Sequence, residues 1–329
     1  MDLAAEELQF LSIVGILRES VRIPNQSNRA FSLITLTLIF PLSLSILAHN
    51  LFTHPLLRRI QSFHSPSDVA FLILVQSLYL IFLFLFSLLS TAAVVLSVAT
   101  LYSSSKPPHH SFSFSSLLSS ALPRAFPRLA RTFLFVSLLM TLYNVVFLAS
   151  LTALVFAFSI SSASAAASQI LLGAAALLLL ILYFLTHLYI TAWWHLASVV
   201  SVLEPVCGWP AMRRSRELLR GKAAAAGVLV SIYLAMCWVI SWVFGGVVVR
   251  GGVGVGLVRR VLVGGLLVGV LVFVNLVGLL VQSVFYYVCK SYHHELIDKT
   301  ALFEHLGGYL GEYVPLKSSV QMQSFDDSL

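Results

Sequence analysis

The chain has 329 residues, of which 59% are hydrophobic and only 10% are charged, and its mean hydropathy is +0.94. A soluble domain is about 25% charged, so this composition excludes an ordinary soluble protein. The formal net charge is +7, but the lysines and arginines lie in short segments between apolar stretches and form no continuous basic stripe. We therefore expect charges that set membrane topology near lipid headgroups, and no direct nucleic-acid binding.

The N-terminal segment, residues 1–29, carries interspersed charges and lacks the pattern of a cleaved signal peptide. Within it, residues 3–20 place Phe10, Val14 and Leu17 at helical spacing. This spacing predicts a helix at the membrane interface. The first membrane span is then expected to act as its own insertion signal.

Six apolar segments follow, each close to or above the roughly 20 residues that a helix needs to cross a bilayer. The longest uncharged stretch is the 72 residues between Arg131 and Glu204. As one helix it would measure about 108 Å, so we expect it to fold back at the small residues 159–168. Pro41 predicts a kink in the first span. The predicted spans are residues 30–49, 69–101, 132–158, 169–203, 223–249 and 261–289.

The predicted fold class is therefore all-α: an integral membrane bundle of six transmembrane helices in residues 30–289, followed by a polar tail, residues 290–329. With the N-terminus in the cytosol, the cytosolic segments carry 15 of the 20 lysines and arginines, and the opposite segments carry 5. This asymmetry favours cytosolic N- and C-termini. The plasma membrane and an endomembrane are equally compatible. The sequon that begins at Asn25 is then expected to stay unglycosylated.

Four polar side chains inside the predicted spans are candidate intramembrane site residues: His187, His195, Asn144 and Asn275. The two histidines share one helix face but lie about 12 Å apart along the axis, too far to hold one metal ion. They either relay protons or hydrogen-bond as neutral groups to neighbouring helices. Asn144 and Asn275 are expected mainly to hydrogen-bond between helices. Gly265 with Gly269 forms a small-xxx-small pair, which predicts a closely packed second helix.

The segment 204–222 and the start of the tail are the most polar cytosolic features. Residues 211–219 predict a short helix that either lies on the anionic leaflet or pairs with acidic tail residues as a cytosolic cap. The candidate interaction residues are Glu204, Arg213, Arg214, Arg216, Glu217, Arg220, His293, His294, Glu295 and Asp298. Cys289 and His293 have the four-residue spacing of metal ligands, but nothing completes a set of four, so no cofactor is expected.

These same regions carry a family resemblance. Residues 195–204 with 211–222, and residues 289–299 with 311–316, resemble a plant family of uncharacterised multi-pass membrane proteins. The resemblance covers the whole chain and implies a membrane location, six spans and no established reaction. Some members are labelled as binding a polyadenylate-binding protein. The loop is also faintly similar to bacterial membrane domains attached to glycerophosphodiester phosphodiesterases, but that catalytic domain is absent and its activity is not implied.

The sequence contains no nucleophile elbow, metalloprotease motif or other strong catalytic pattern. We therefore expect a non-enzymatic scaffold or trafficking protein that contacts the lipid bilayer and binds a cytosolic protein through residues 204–222 and the tail. The alternative is a transporter or channel for a small solute whose path runs beside His187, Asn144 and Asn275. A membrane-embedded lipid enzyme is a third hypothesis, and it needs a reactive polar cluster at interface depth.

Overall fold

The computed structural model describes residues 10–26, 28–63, 66–103, 122–161, 166–251 and 256–295, and within these ranges the protein is all-α. The helices are α1 (Ile13–Gln26), α2 (Asn28–Ile34), α3 (Phe40–Phe63), α4 (Pro66–Ser103), α5 (Leu122–Ser161), α6 (Ala166–Leu203), α7 (Trp209–Leu219), α8 (Ala223–Phe244) and α9 (Leu257–Tyr292). One π-helical turn, Thr35–Ile39, joins α2 to α3, and another, Gly245–Val249, ends α8.

Six helical segments are long and apolar enough to cross a membrane. They are Arg29–Thr53, Ser67–Tyr102, Ala125–Ser159, Gln169–Leu203, Ala223–Val249 and Leu257–Tyr292. Each predicted span lies inside one of these segments, so the number and order of the apolar helices are confirmed. Several helices begin earlier than predicted because the predicted boundaries followed charge. A helix end tolerates basic residues, and Arg128 and Arg131 lie within α5.

The bundle is packed unevenly along its length. At the end that carries α7, hereafter the α7 end, one large buried core joins α1, α2, α4, α5, α6, α8 and α9; Leu96, Leu129 and Leu196 are among its fully buried residues. At the opposite end, hereafter the far end, a small core joins only α3, α8 and α9. Its buried members are Leu47, Ile240, Phe244, Val268 and Leu271.

The hairpin of α5 and α6 exposes large apolar side chains along its far half. Leu142, Phe156, Ile170 and Phe184 are between 55% and 73% exposed. An apolar surface of this extent is stable only against hydrocarbon or another apolar surface. The molecule therefore combines a densely packed α7 end with a far half whose outer face is apolar.

Pro41 is the second residue after the first π-helical turn. A proline inside a helix lacks an N–H donor, and its ring clashes with the carbonyl group four residues earlier, here that of Thr37. The wider π-helical turn accommodates this conflict, and the Thr37 hydroxyl donates a hydrogen bond to the Leu33 carbonyl oxygen at 2.7 Å. The expected distortion of the first span therefore takes the form of a π-helical turn.

The N-terminal helix differs from the helix predicted over residues 3–20. It begins at Ile13 and continues to Gln26, and residues 1–9 lie outside the described part of the chain. Ile16 and Ile23 are buried in the main core, whereas Phe10 and Val14, from the predicted apolar face, are 82% and 72% exposed. Both faces have helical spacing, so only the docking of α1 beside α9 decides which one packs.

The glycine pair in α9 does not pack against a second helix, so this prediction is wrong within the chain. A Cβ atom added at Gly265 or at Gly269 would meet nothing within 4 Å, whereas one added at Gly264 would lie 3.7 Å from the Phe244 ring. The packed face of α9 is thus offset by one residue. The loop helix α7 also begins two residues earlier than predicted, at Trp209.

Candidate functional site

A cavity of about 370 Å³ lies among the helices, lined by residues from α4, α5, α6, α8 and α9. Most of its lining side chains are apolar, and the lining within the described part of the chain contains no Asp, Glu, Lys or Arg. Its polar lining includes Ser90, His187, Thr191, His195, Asn275 and Gln282. The structure therefore brings three of the four candidate intramembrane residues to one space.

Helix periodicity explains the polar seam of this cavity. His187, Thr191 and His195 recur at intervals of four on α6, and therefore lie on one face of that helix. Asn275 and Gln282 are seven residues apart on α9, which returns them to the same side after two turns.

His195 and Gln282 form the closest polar contact across the cavity wall. The His195 Nδ1 atom donates to the Gln282 Oε1 atom at 2.7 Å. The imidazole ring also stacks beside the Trp194 ring and meets the Tyr233 ring edge-on. These contacts fix the orientation of both side chains and leave the Gln282 amide nitrogen directed elsewhere.

Asn275 links three of the long helices. Its Nδ2 atom donates to the Ser43 hydroxyl of α3 at 2.9 Å, and its Oδ1 atom accepts from the Tyr233 hydroxyl of α8 at 2.9 Å. Asn275 is only 6% exposed. Asn275 is therefore a side chain that forms hydrogen bonds between helices.

Five buried polar atoms on the cavity-lining residues have no hydrogen-bond partner within the described part of the chain. They are Ser90 Oγ, His187 Nδ1, Thr191 Oγ1, Trp194 Nε1 and Gln282 Nε2. A buried polar group without a partner costs about 1–3 kcal/mol. Native proteins keep few such groups, and their concentration at one cavity indicates a place where a bound molecule or water completes the hydrogen bonding.

The cavity reaches the outer apolar surface of the bundle. Ile232 and Met236 of α8 line the cavity and are still 44% and 43% exposed, and Phe273 of α9 lines it while 57% exposed. A residue that both lines a cavity and is open on the outside marks its mouth. The mouth is therefore apolar and lies on the side of the bundle.

Asn144 does not line the cavity. Its Oδ1 atom accepts a hydrogen bond from the Tyr183 hydroxyl at 2.9 Å, and its Nδ2 atom donates to the Met140 carbonyl oxygen at 2.7 Å. The predicted transport path beside His187, Asn144 and Asn275 is therefore not one continuous lining. Asn144 instead belongs to the contact between α5 and α6, where the Tyr143 and Tyr183 rings stack with centroids 5.1 Å apart.

A second polar site, hereafter the charge cluster, consists of Glu204, Arg214, Glu295, Tyr286 and Lys290. Arg214 Nε lies 3.3 Å from Glu204 Oε2, and the same guanidinium donates to Glu295. Tyr286 donates to Glu204 Oε1 at 2.8 Å, and Lys290 Nζ lies 4.0 Å from that oxygen. The cluster joins α7 to the ends of α6 and α9.

The electrostatics of Arg214 follow from this arrangement. Burial by itself lowers the pKa of the guanidinium, but the hydrogen bonds and negative charges of Glu295 and Glu204 raise it by more, so the net pKa shift is upward. Arg214 is therefore a permanent cation that holds two carboxylates together.

The remaining loop and tail candidates are distributed over different surfaces. Arg213, Arg216 and Glu217 are exposed on the outer face of α7, Arg220 is exposed directly after its last residue, and Arg213 Nε lies 3.6 Å from Glu217 Oε1. His293 Nε2 donates to the Leu218 carbonyl oxygen at 3.2 Å, which directs it to α7 rather than toward a metal ligand. His294 lies in a turn with φ of 54°, and Asp298 is outside the described residues.

Hydrogen bonds also hold α7 against the neighbouring helices. The Ser215 hydroxyl donates to the Trp193 carbonyl oxygen at 2.8 Å, and the Trp193 indole donates to the Met212 carbonyl oxygen. The Gly208 N–H before α7 donates to the Thr132 hydroxyl at 2.8 Å. The exposed arginines are thus presented by a fixed helix.

The family described as a domain of unknown function (DUF8558) matches residues 1–66 and 62–325. The chain belongs to the DUF8558 family. No curated protein and no solved structure matches it. The DUF8558 match covers the cavity and the charge cluster together, so both sites lie within the region that defines the family.

Sequence reasoning missed several members of both sites in this DUF8558 chain. Gln282 and Ser90 were not predicted as site residues because single serines and glutamines are ordinary in apolar helices. Tyr286, which donates to Glu204, lies 82 positions from it. The spacing of Gln282 seven residues after Asn275 was the one available signal, and it becomes informative only when α6 is known to face α9.

Proposed function

We propose that this protein is an integral membrane protein that crosses a bilayer six times, with both termini in the cytosol, at the plasma membrane or an endomembrane. The six long apolar helices, the apolar outer face of the far half and the excess of lysine and arginine on one side support this. A 36-residue helix is about 54 Å long, which exceeds the roughly 30 Å hydrocarbon thickness. The dense α7 end accordingly projects into the headgroups and the cytosol, where its arginines are hydrated.

Cysteine accessibility tests this topology. The background variant replaces Cys207, Cys237 and Cys289 with alanine, and one new cysteine is then introduced, either Arg216→Cys on α7 or Arg259→Cys near the far end. In sealed vesicles with the cytosolic face outward, a membrane-impermeant maleimide is expected to label the first variant only. Opening the vesicles should allow the second to react. The reverse pattern overturns the orientation, and labelling of both variants in sealed vesicles overturns the proposed crossings.

The proposed activity is non-enzymatic: a scaffold or trafficking protein that uses the outer face of α7 and the tail as its interaction surface. One observation carries this proposal. Arg214 is held inward by Glu204 and Glu295, while Arg213 and Arg216 remain exposed on the same fixed helix and Arg220 is exposed directly after it. A rigid helix with an exposed basic face binds an acidic partner surface at little entropic cost.

The proposed partner is a cytosolic protein that binds through residues 204–222 and the tail. If the resemblance to the plant family holds, a polyadenylate-binding protein is the first candidate to examine. Proximity labelling from a ligase fused to the C-terminus tests this, comparing wild type with the double variant Arg216→Glu, Arg220→Glu. The matched control is Arg259→Glu, which reverses an arginine near the far end. Loss of the labelled partner in the double variant alone is expected, and an unchanged set of partners contradicts the proposal.

A transporter or channel for a small solute is the second candidate, because His187 and Asn275 line one cavity. Flux measurements in reconstituted vesicles distinguish it from the scaffold. Solute movement that is abolished by His187→Ala, and retained in Asn144→Ala, would establish transport through the cavity and overturn the scaffold hypothesis.

A further inference from the structure

We propose that the cavity between α4, α6 and α9 binds a neutral lipid with several acceptor oxygens, of the diacylglycerol class. The inference rests on the proposed membrane crossing, because such a ligand reaches the cavity from the hydrocarbon phase. Three features of the cavity carry it: the absence of charged lining residues, the chemistry of the unpartnered polar atoms, and the position of the mouth.

The lining excludes a charged headgroup. Among the described residues that line the cavity none is Asp, Glu, Lys or Arg, and transferring an unpaired ion into such a site is strongly unfavourable. The guanidinium of Arg214 does not line the cavity and already faces two carboxylates. A phospholipid phosphate therefore finds no cation in the cavity, whereas an uncharged lipid needs none.

The unpartnered polar atoms are complementary to a ligand that has acceptor oxygens. The Trp194 indole N–H and the Gln282 amide nitrogen can only donate hydrogen bonds. The Gln282 oxygen already accepts from His195. The Ser90 and Thr191 hydroxyls donate or accept. Ester carbonyl oxygens satisfy the first pair, and an alcohol group satisfies either hydroxyl.

The spread of these atoms selects a ligand with more than one oxygen. His187 and Trp194 are seven residues apart on α6, about 10 Å along the helix axis, and Ser90 and Gln282 approach from α4 and α9. A single hydroxyl, as in a sterol, satisfies only part of this set. A glycerol backbone with two esters and one free hydroxyl offers several oxygens from one molecule to these atoms.

The size and the mouth of the cavity agree with partial entry of such a lipid. A volume of about 370 Å³ lies at the lower end of the range for ligand pockets, which suits a glycerol backbone and the first carbons of its chains. The exposed lining residues Ile232, Met236 and Phe273 form an apolar exit. The acyl chains leave along that exit and remain among the bilayer lipids.

Photo-crosslinking in nanodiscs tests the proposal. The full chain is placed in phosphatidylcholine nanodiscs that contain a photoactivatable diacylglycerol, and the crosslinked peptides are identified by mass spectrometry. We expect labelling of α6 and α9 around the cavity, displaced by unlabelled diacylglycerol and not by a sterol. Thr191→Val and Gln282→Leu should each weaken binding roughly fivefold, the loss of one neutral hydrogen bond.

The matched controls are Thr152→Val and Gln76→Leu, which remove the same groups from long helices at positions that do not line the cavity. Both are expected to label like wild type. Equal labelling in cavity and control variants overturns the proposal, as does equal labelling by a photoactivatable phosphatidic acid. A wild-type protein that takes no label also overturns it, because the cavity then holds water.

Two measurements keep these outcomes separable. Size-exclusion profiles of each variant show whether it folds, so weak labelling is interpreted only for monodisperse protein, and diacylglycerol competition on wild type decides the question if a variant does not fold. Carbonate extraction of the source membranes reports on the proposed function. If the protein stays in the pellet but does not bind diacylglycerol, only the proposed lipid site is overturned. If carbonate extracts the protein, the proposed membrane crossing is overturned.

Discussion

Arg214 donates a hydrogen bond to Glu295, a residue 81 positions later in the chain, at the point where α9 has just ended. The same guanidinium contacts Glu204, the first residue after α6. One side chain of α7 therefore connects the ends of α6 and α9. It decides which part of the segment 204–222 faces inward and which arginines stay exposed.

Replacing Arg214 should loosen the α7 end. Arg214→Ala removes the guanidinium that contacts both Glu204 and Glu295, and we expect a loss of about 1–2 kcal/mol in unfolding free energy. Arg213→Ala is the control: its side chain is 77% exposed and pairs only with Glu217, so its effect should stay within about 0.5 kcal/mol. Thermal unfolding in detergent, with proteolysis of the chain beyond Tyr292, measures both. Equal behaviour of the two variants would remove the structural role of the cluster.

Gly221 should not tolerate a side chain. Its φ is +83°, and an added Cβ would lie 2.6 Å from a Tyr292 ring carbon. We expect Gly221→Ala to destabilise the protein by at least about 1 kcal/mol, through backbone strain and displacement of the ring. Gly227→Ala, in α8 with nothing within 4 Å of an added Cβ, is the control, and it should be neutral or stabilising by up to about 1 kcal/mol. Melting temperatures that fall equally in both variants would contradict this account.

The two candidate asparagines should differ in their effect on stability. Asn275→Leu removes hydrogen bonds to α3 and α8, so that the buried Ser43 hydroxyl and the partly buried Tyr233 hydroxyl lose this partner. Asn144→Leu removes one contact at an exposed position between α5 and α6. Hydrogen bonds between helices in lipid are worth about 0.6 kcal/mol on average, so we expect a loss of about 1–2 kcal/mol for the first and about half of that for the second. Unfolding in mild detergent measures the stability loss of both variants. A larger loss for Asn144→Leu would contradict the greater structural role given to Asn275.

The sequon at Asn25 should remain unmodified in native membranes. Asn25 is exposed in α1, so its accessibility alone does not protect it. The proposed topology keeps it on the cytosolic side, away from the glycosylation machinery. The expected result is no change in electrophoretic mobility after glycosidase treatment, with a co-expressed secreted glycoprotein as the positive control. A mobility shift that disappears in Asn25→Gln would overturn the orientation.

The predicted spans agree with the structure because their signal is strong and local. Twenty uncharged apolar residues have one stable arrangement in hydrocarbon, a helix with all backbone hydrogen bonds satisfied internally. The 72 uncharged residues after Arg131 contribute to two helices, one that ends at Ser161 and one that begins at Ala166, both bounds inside the segment of small residues 159–168. Chain length and polarity were sufficient for that conclusion.

The sequence was less informative about which face of each helix packs inward and which residues contact each other. Apolar residues surround the helices on all sides, so periodicity does not show which face packs. Gly265 with Gly269 was therefore assigned to an interface that Gly264 occupies instead. The helix predicted at the membrane interface carries Phe10 and Val14 on its apolar face, whereas the side that packs in the protein core carries Ile16 and Ile23.

The amino-acid sequence alone determined the number of long apolar helices, their order and the segregation of arginines to alternate connecting segments, because length, hydropathy and charge act along the chain. Only the tertiary structure decided that His195 meets Gln282, that Asn144 lies away from Asn275, and that Arg214 rather than Arg213 faces the carboxylates. Those facts depend on the rotation and depth of each helix against its neighbours. The face that a uniformly apolar helix turns toward its neighbours is set by how its side chains pack against those of the other helices. A short stretch of sequence does not contain that information.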